Sequence, residues 1–577
     1  MPETLQLDEV HFVAGSKPGE PSLTVSGNQT VVLVGPNNSG KSTALRELDT
    51  WASGEDTETR VISGAKVRWP DADDAFRLIK TFEAEAPSPM PMDTIYFSVT
   101  RPGKSPLGLQ ASHEEIARNL ETQNERAMRH QLLQPFTLRL DGRGRFGLAD
   151  PQDSGDLSKP AQNHLWRLLQ SENSRQEVRR LVRKAFGYYF FVDMTGLKEL
   201  RIRMAEEDPP PGFDEVSVRQ ESLDFANASP QLSELGDGVQ AYTGLVSAIV
   251  GIPSRLILID EPEAFLHPLL SRRLGGDLTR LIRDRDGTLV VSTHSPDFLM
   301  GCLEESDSSA IVRLTFERGM ATARSLDSSV VASLMRDPML RSTGALSGLF
   351  HRAVVIVEGD SDRAAYSEIN RRLDSAGRGI DDCLFLNAQN WQTIPKLVGP
   401  LRDLGIPAAA IVDLDAIRSP QKWVSLFTAA GMDLALRDTF NARRDAARKI
   451  LKTEPASRVK KEGLGAFSKK DRKFLEGYLE ELAEYGIFVV PVGVLESWLK
   501  ELEIPSGKSK WVAHLLERLG TDRDSPTWVE PEDSDVWAFI DRISRWVADP
   551  DRRGIPDQFS PSDADDGVQS LEDPEFR

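Results

Sequence analysis

The segment from Val31 to Leu48, VVLVGPNNSGKSTALREL, joins an apolar, β-branched run to a helical pattern through a short glycine-rich loop. The apolar run predicts a buried strand, and the spacing after the loop predicts a helix. The loop fits G-x-x-x-x-G-K-[ST], in which main-chain N–H groups surround a phosphate and the lysine adds positive charge. The chain is therefore expected to contain an α/β domain with a phosphate site at a strand end.

The loop predicts a site for ATP with Mg²⁺. Lys41 is the expected cation, and the hydroxyl of Ser42 is the expected magnesium ligand. An ordinary glycine-rich turn is the alternative, which the preceding strand and following helix disfavour. The predicted nucleotide-binding residues here are Gly35, Asn38, Ser39, Gly40, Lys41, Ser42 and Thr43.

Length and composition limit the class of protein. A chain of 577 residues exceeds one ordinary core, so three or four domains are expected. Cys302 and Cys383 are too few for a disulfide framework or a tetrahedral zinc site. No signal peptide or membrane-spanning run is visible, which predicts a soluble cytoplasmic protein. The net charge of −19 excludes a wholly basic surface but allows a local basic groove.

Two later strand patterns end in polar residues that suit ATP hydrolysis. RLILIDEPEAFLHP delivers Asp260, a predicted magnesium ligand, and Glu261, which is expected to polarise the attacking water. One strand later, VVSTHSPD places His294 where a sensor of the γ-phosphate belongs. For Asp260 and Glu261, the alternative is an ordinary acidic turn at a strand end. For His294, it is a histidine whose hydrogen bonds are made within a turn.

The segment LSELGDGVQAYTGLVSAI resembles the signature motif of the ATP-binding-cassette (ABC) family, in which one head completes the nucleotide site of another. The usual L-S-G-G-Q stands here as LGDGVQ, without the serine. The resemblance implies that Gly236, Asp237 and Gly238 meet ATP bound by a second subunit, so a homodimer or higher oligomer is expected. A plain helix cap is the alternative.

The second half of the chain carries a different set of acids at strand ends. AVVIVEGDSD brings Glu358 and Asp362, PAAAIVDLDAI brings Asp413 and Asp415, and IFVVPVGVLESWL brings Glu496. Carboxylates at the carboxyl edge of adjacent parallel strands converge in one crevice, and such oxygen ligands select Mg²⁺ or Mn²⁺. The pattern predicts a metal site suited to phosphodiester chemistry.

The order glutamate, Asp-x-Asp, glutamate resembles the Toprim fold of the overcoming-lysogenization-defect (OLD) family, which includes the nuclease of Gabija antiphage systems. The resemblance implies metal binding by the five acids, with Glu358 also an acid/base candidate. It further implies a lysine that stabilises the negative charge on the scissile phosphate. Lys510 is favoured over Lys508 for this role. Where relatives often carry another acid, this chain has Val494.

A basic stretch lies between the Asp-x-Asp strand and the Glu496 strand. Residues 437–473 hold 13 lysines and arginines against 5 aspartates and glutamates. Such a helical insertion beside a metal crevice is suited to hold a DNA backbone, although a solvated charged face is the alternative.

The predicted fold is α/β, with an ABC-type P-loop ATPase head carrying a helical inserted arm, followed by a Toprim (Rossmann-like) domain with a helical insertion. The predicted boundaries are 1–110 and 226–345 for the two parts of the ATPase, 111–225 for the arm or dimerisation region, 346–425 and 483–550 for the two parts of the Toprim domain, 426–482 for the basic insertion and 551–577 for a disordered acidic tail.

Together with these features, the resemblance to the OLD family implies an ATP-hydrolysing, Mg²⁺- or Mn²⁺-dependent DNA endonuclease of antiphage defence, whose ATP state regulates DNA access. A partner defence protein, helicase-like or an effector, fits this class, and no membrane is involved. The alternative is an ATPase sensor or scaffold whose degenerate Toprim domain holds or activates an effector. The motor of a membrane transporter conflicts with the fused acid cluster.

Overall fold

The computed structural model describes residues 5–17, 20–27, 30–101, 106–142, 144–155, 161, 163–196, 198–217, 219–306, 309–317, 319–419, 422–504, 508–520, 523 and 527–555. The chain forms two compact units, residues 1–328 and 329–577. Among the helices in these ranges, none combines the length and apolar character that crossing a membrane requires.

The first unit contains most of the strands. They are β1 (Gln6–Phe12), β2 (Thr24–Ser26), β3 (Thr30–Val34), β4 (Ile62–Arg68), β5 (Thr94–Val99), β6 (Leu107–Ser112), β7 (Thr137–Leu140), β8 (Gln152–Asp153), β9 (Tyr189–Asp193), β10 (Glu199–Ala205), β11 (Leu256–Asp260), β12 (Thr288–Ser292), β13 (Ala310–Glu317) and β14 (Met320–Leu326). Its helices are α1 (Lys41–Ala52), α2 (Ala72–Lys80), α3 (His113–Glu121), α4 (Glu125–Met128), α5 (His164–Gln170), α6 (Glu172–Phe186), α7 (Gln220–Ala228), α8 (Asp237–Gly251), α9 (Pro268–Arg283) and α10 (Pro296–Glu305).

A six-stranded sheet in the order β14-β13-β3-β12-β11-β7 forms the centre of this unit. Its strands are parallel except β14, which pairs antiparallel with β13. All five residues of β3 are buried, as expected for a parallel strand covered on both faces. The adjacent strands β3, β12 and β11 therefore bring the phosphate loop, His294 and Asp260 to one edge of the sheet.

The prediction of a helical pattern across the arm is wrong at β7 and at the three strands β8, β9 and β10. Strand β7 belongs to the central sheet, where Leu256 of β11 pairs with Thr137. Its buried leucines, Leu138 and Leu140, alternate with partly exposed residues, which is the period of a strand. Four residues are too short to stand out from the surrounding helical spacing, and the pairing with a distant strand decides the structure. The boundaries 111–225 remain a prediction.

The second unit is a smaller α/β fold. Its strands are β15 (Ala353–Val357), β16 (Cys383–Asn387), β17 (Ala408–Asp413) and β18 (Ile487–Val490). Its helices are α11 (Ser328–Arg336), α12 (Pro338–Thr343), α13 (Asp360–Ser375), α14 (Ile394–Asp403), α15 (Trp423–Ala429), α16 (Leu434–Leu451), α17 (Ala456–Glu462), α18 (Lys469–Glu484), α19 (Lys508–Leu519) and α20 (Asp535–Ala548).

Its four strands form a fully parallel sheet in the order β16-β15-β17-β18. The chain passes from β15 to β16 on one side and returns to β17 on the other, so the connections leave β15 and β17 in opposite directions. Open α/β sheets bind ligands in the crevice at such a switch point, beyond the carboxyl ends of the strands. Glu358 follows β15 and Asp413 ends β17, so both lie at this crevice.

The segment predicted as a basic insertion, 426–482, contains helices α16, α17 and α18. Of the predicted disordered tail, residues 556–577 lie outside the described residues.

Candidate functional site

The phosphate loop connects β3 to α1 through a backbone that requires glycine. Gly35 has a φ of 139°, and a Cβ there would lie 2.1 Å from the carbonyl oxygen of Leu314. The Lys41 Nζ donates to the carbonyl oxygens of Gly35 and Pro36, at 2.8 Å each. Lys41 is only 6% exposed, so the loop encloses the ammonium group beside the start of α1. This arrangement suits binding of a polyphosphate.

The predicted hydrolytic residues meet at the ends of β11 and β12. Asp260 and Ser292 are opposite each other in the parallel register, and the Ser292 hydroxyl donates to the Asp260 carboxylate. Glu261 has a φ of 49°, and its Oε1 lies 3.4 Å from the His294 Nε2. The main-chain N–H of Thr293 donates to the carbonyl oxygen of Leu33 on β3 at 3.1 Å, which ties this edge to the strand that carries the phosphate loop.

Sequence reasoning missed Glu263, the second glutamate of DEPE. One oxygen of its carboxylate, Oε1, accepts from the Thr293 hydroxyl and the His294 main-chain N–H, at 2.8 Å each. Burial raises the pKa of Glu263, although these hydrogen bonds oppose the shift. Glu263 therefore holds the main chain of His294 in place. The sequence feature that could have identified Glu263 is its position two residues after Glu261 in the same motif.

Arg145, on the loop after β7, was also missed. Its guanidinium donates to the carbonyl oxygen of Glu261 at 2.5 Å, across 116 residues of sequence. Burial lowers the pKa of Arg145, while the nearby carboxylates of Glu263, Glu261 and Asp260 oppose that shift. The arginine thus supplies positive charge and a main-chain anchor beside the predicted catalytic acids.

The signature-like segment lies at the start of α8. Gly236 caps the helix, Asp237 is its first residue, and both are exposed. The side-chain amide of Gln240 donates to the carbonyl oxygen of Leu235 at 2.7 Å, which fixes the turn into the helix. Gly238 lies close to the main chain of Phe265, since a Cβ at Gly238 would be 3.0 Å from the Phe265 carbonyl oxygen. Phe265 itself is 57% exposed.

In the second unit, Glu358 and Asp413 are joined directly. The main-chain N–H of Asp413 donates to the Glu358 Oε1 at 2.9 Å. Burial raises the pKa of Glu358 to about 7, and the charges of Asp362 and Asp415 add to this. Burial likewise raises the pKa of Asp413 to about 8, with further contributions from the other four acids. The five predicted acids are thus close enough to act on one another electrostatically.

This cluster has the donor chemistry of a hard divalent cation. Carboxylates that raise one another's pKa form a site that positive charge stabilises, and oxygen donors suit Mg²⁺ or Mn²⁺. In the described residues, however, no three His, Cys, Asp or Glu side chains are arranged to hold one ion. A cation also contacts the cluster: the Nζ of Lys460, on α17, lies 2.8 Å from the Asp415 Oδ2. Sequence reasoning missed this residue.

The two lysines predicted to assist the nuclease begin helix α19. The side chains of Lys508 and Lys510 lie outside the described residues. Glu496 lies in a short 3-10 turn, Leu495–Ser497, that follows β18, and Val494 precedes that turn.

Two family models match the chain. "AAA domain, putative AbiEii toxin, Type IV TA system" matches residues 122–300, and "Overcoming lysogenization defect protein-like, TOPRIM domain" matches residues 349–415. This pairing fits the ATPase–Toprim fusion of the OLD family that the sequence resembles. The matches confirm the predicted fold class, a P-loop ATPase domain followed by a Toprim domain.

Among similar proteins is the OLD nuclease of Thermus scotoductus, 24% identical over 271 residues that cover 43% of this chain and 48% of that protein. The chain thus spans about half the length of this relative. An SMC head bound to the C-winged helix domain of ScpA has 14% identity and a TM-score of 0.32, covering 56% of this chain and 98% of that one. The SMC head domain from Thermotoga maritima has 13% identity and a TM-score of 0.27, covering 56% and 99%.

Proposed function

We propose that this OLD-type chain is an ATP-hydrolysing, divalent-metal-dependent DNA endonuclease of antiphage defence, in which the ATP state regulates cleavage. The observation that carries the nuclease assignment is the contact of Glu358 with Asp413 at the switch point of the Toprim sheet. Nicking of supercoiled plasmid by the purified chain, with and without ATP, tests the activity and its regulation. Equal phage plating on cells with and without the chain and its neighbouring genes would contradict the defence role.

At the nucleotide site, the chain's own groups account for binding and hydrolysis of ATP. The phosphate loop and Lys41 bind the phosphates, and Glu261 orients the attacking water while His294 lies beside it. Ser42 and Asp260 would hold Mg²⁺, which neutralises charge on the phosphates. Glu263 and Arg145 fix the main chain on which His294 and Glu261 sit.

At the Toprim site, the residues that would hold divalent ions are Glu358, Asp362, Asp413, Asp415 and Glu496. Such ions supply Lewis-acid assistance to the cleavage of a phosphodiester. Glu358 is also the proposed acid/base of the cleavage, the role that the family resemblance implies for it.

The insertion offers a surface for the DNA backbone. Its arginines mostly pair with acids, as in the contacts of Arg443 with Glu481 and of Arg472 with Glu476, at 2.8 Å each. Six exposed lysines have no ion-pair partner among the described residues: Lys449, Lys452, Lys461, Lys469, Lys470 and Lys473. Because unpaired lysines bind phosphates without losing an existing partner, these six are the proposed backbone contacts.

Replacing Lys469, Lys470 and Lys473 with glutamate should weaken binding of a labelled DNA duplex. The logarithmic salt dependence of the affinity should become shallower by about 1 per lost phosphate contact. The variant should fold, since glutamate near a helix start is favourable and all three residues lie in the first five positions of α18. Fluorescence anisotropy over a salt series measures both quantities, with Lys396→Glu on α14 as the control. Unchanged affinity and slope in the triple variant would argue against this surface.

The exposed signature segment and Phe265 support assembly of two or more copies around ATP. Glu261→Gln should bind ATP yet hydrolyse it poorly, which accumulates the assembled state. Light scattering with ATP and Mg²⁺ should then give at least twice the chain mass of 64.0 kDa. A mass of one chain with and without ATP, or wild-type turnover by Glu261→Gln, would contradict this model.

A second candidate function is an ATPase scaffold with an inactive Toprim domain. It is favoured by Val494 at the start of the Glu496 turn, where the family resemblance leads one to expect an acid. On this account, the wild-type chain hydrolyses ATP but does not nick DNA with any divalent ion. Any metal-dependent nicking that Glu358→Ala abolishes would exclude it.

A further inference from the structure

We infer that Lys460 is a catalytic residue of the Toprim site that binds the phosphate group of the DNA bond to be cleaved. The inference rests on the proposed nuclease function and assigns this role to a lysine before the last strand of the sheet. Its starting point is the 2.8 Å contact between the Lys460 Nζ and the Asp415 Oδ2. Through this contact, the insertion places a positive charge within the group of acids.

Close main-chain contacts fix Lys460 to the segment that carries Glu496. Gly493 has a φ of 107°, and a Cβ there would lie 2.5 Å from the carbonyl oxygen of Lys460. The hydroxyl of Ser497, the residue after Glu496, donates to the same carbonyl oxygen at 3.0 Å. Helix α17 is therefore held against the loop beyond β18, and the base of the Lys460 side chain has a fixed position.

The other basic residues of α17 differ from Lys460. Arg458 forms ion pairs with Glu454 at 2.8 Å and with Glu462 at 3.2 Å. Both partners are only four residues away in the sequence. Lys461 is exposed, and its own carbonyl oxygen accepts from the Lys500 Nζ at 3.3 Å. Lys460 is the α17 cation that contacts a Toprim acid, and its side chain is still 47% exposed. A DNA phosphate approaching the acids can therefore reach its ammonium group.

A cation is needed here because the acids repel a phosphodiester. During hydrolysis, the water gives a proton to Glu358 and its oxygen bonds to phosphorus. The bond from phosphorus to the leaving sugar oxygen breaks, and that oxygen takes up a proton from solvent. Lys460 takes no part in these bond changes and stays protonated. Its N–H groups donate to a non-bridging phosphate oxygen, and charge-assisted hydrogen bonds of this kind strengthen as negative charge develops.

The test compares Lys460→Ala, Lys460→Arg and the control Lys396→Ala, which changes an exposed lysine of α14. At saturating supercoiled DNA, Lys460→Ala should lower the nicking rate by about 10²- to 10³-fold, the usual loss for one donor to a developing anion. Lys460→Arg should recover part of the rate, because it keeps the charge. Lys396→Ala should nick at close to the wild-type rate, and all three variants should hydrolyse ATP normally.

A titration with Mn²⁺ alone separates this role from that of a simple charge partner for Asp415. If Lys460 only neutralises Asp415, Lys460→Ala should bind Mn²⁺ more tightly and nick as fast as Lys396→Ala, which would overturn the inference while the nuclease function stands. Absence of nicking by the wild-type chain with either ion would instead overturn the proposed function and the inference with it.

Discussion

Lys41→Ala should abolish ATP hydrolysis. The Lys41 ammonium is the fixed positive charge of the phosphate loop, and it also binds the carbonyl oxygens of Gly35 and Pro36. Its loss removes charge stabilisation of the transferred phosphoryl group and loosens the loop, so phosphate release should fall by at least about 10³-fold. Phosphate release by wild type, Lys41→Ala and the control Lys80→Ala, an exposed lysine of α2, measures the effect. Turnover by Lys41→Ala within a few-fold of wild type would contradict the assignment.

Glu358→Ala or Asp413→Ala should eliminate DNA cleavage and leave ATP hydrolysis nearly intact, because the two sets of residues belong to separate sheets. One carboxylate provides both charge and geometry for a bound ion, so its removal should lower the nicking rate by several orders of magnitude. Mn²⁺ should partly rescue Asp415→Asn, whose amide oxygen still coordinates, but not Asp413→Ala.

We expect the Asp413→Ala variant to remain folded. Burial and the surrounding acids raise the pKa of Asp413 to about 8, so the charged carboxylate is unfavourable where it lies. Alanine removes this repulsion, and the variant should unfold at no lower a temperature than wild type at neutral pH. A large fall in the melting temperature of Asp413→Ala would make its loss of cleavage uninformative about metal binding, and Glu358→Ala would then serve in its place.

The residues foreseen from the sequence belong to local patterns. A buried strand, a glycine loop and a helix are consecutive in the chain, so Lys41 is recognisable without knowledge of its neighbours in space. The same holds for Asp260 and Asp413, which each end an apolar strand, and for Glu358, which follows one. Parallel pairing then brings these strand ends to one edge, as the general behaviour of α/β sheets predicts.

The residues that were missed depend on contacts between distant segments. Arg145 reaches Glu261 only because the unrecognised strand β7 pairs with β11 and delivers its loop to that edge. In the sequence, Lys460 is one charge among many in the insertion, and its contact with Asp415 follows from the close packing of α17 on Gly493. Neither sequence spacing nor local charge encodes such contacts.

The most direct test of the account measures nicking of supercoiled DNA and release of phosphate on the same preparations of wild type and Glu358→Ala, with Mg²⁺ or Mn²⁺. We expect wild type both to nick DNA and to hydrolyse ATP, and Glu358→Ala to hydrolyse ATP without nicking. Equal nicking by the two proteins would show that the nuclease assignment rests on the wrong residues, and no nicking by wild type with either ion would contradict the nuclease function itself.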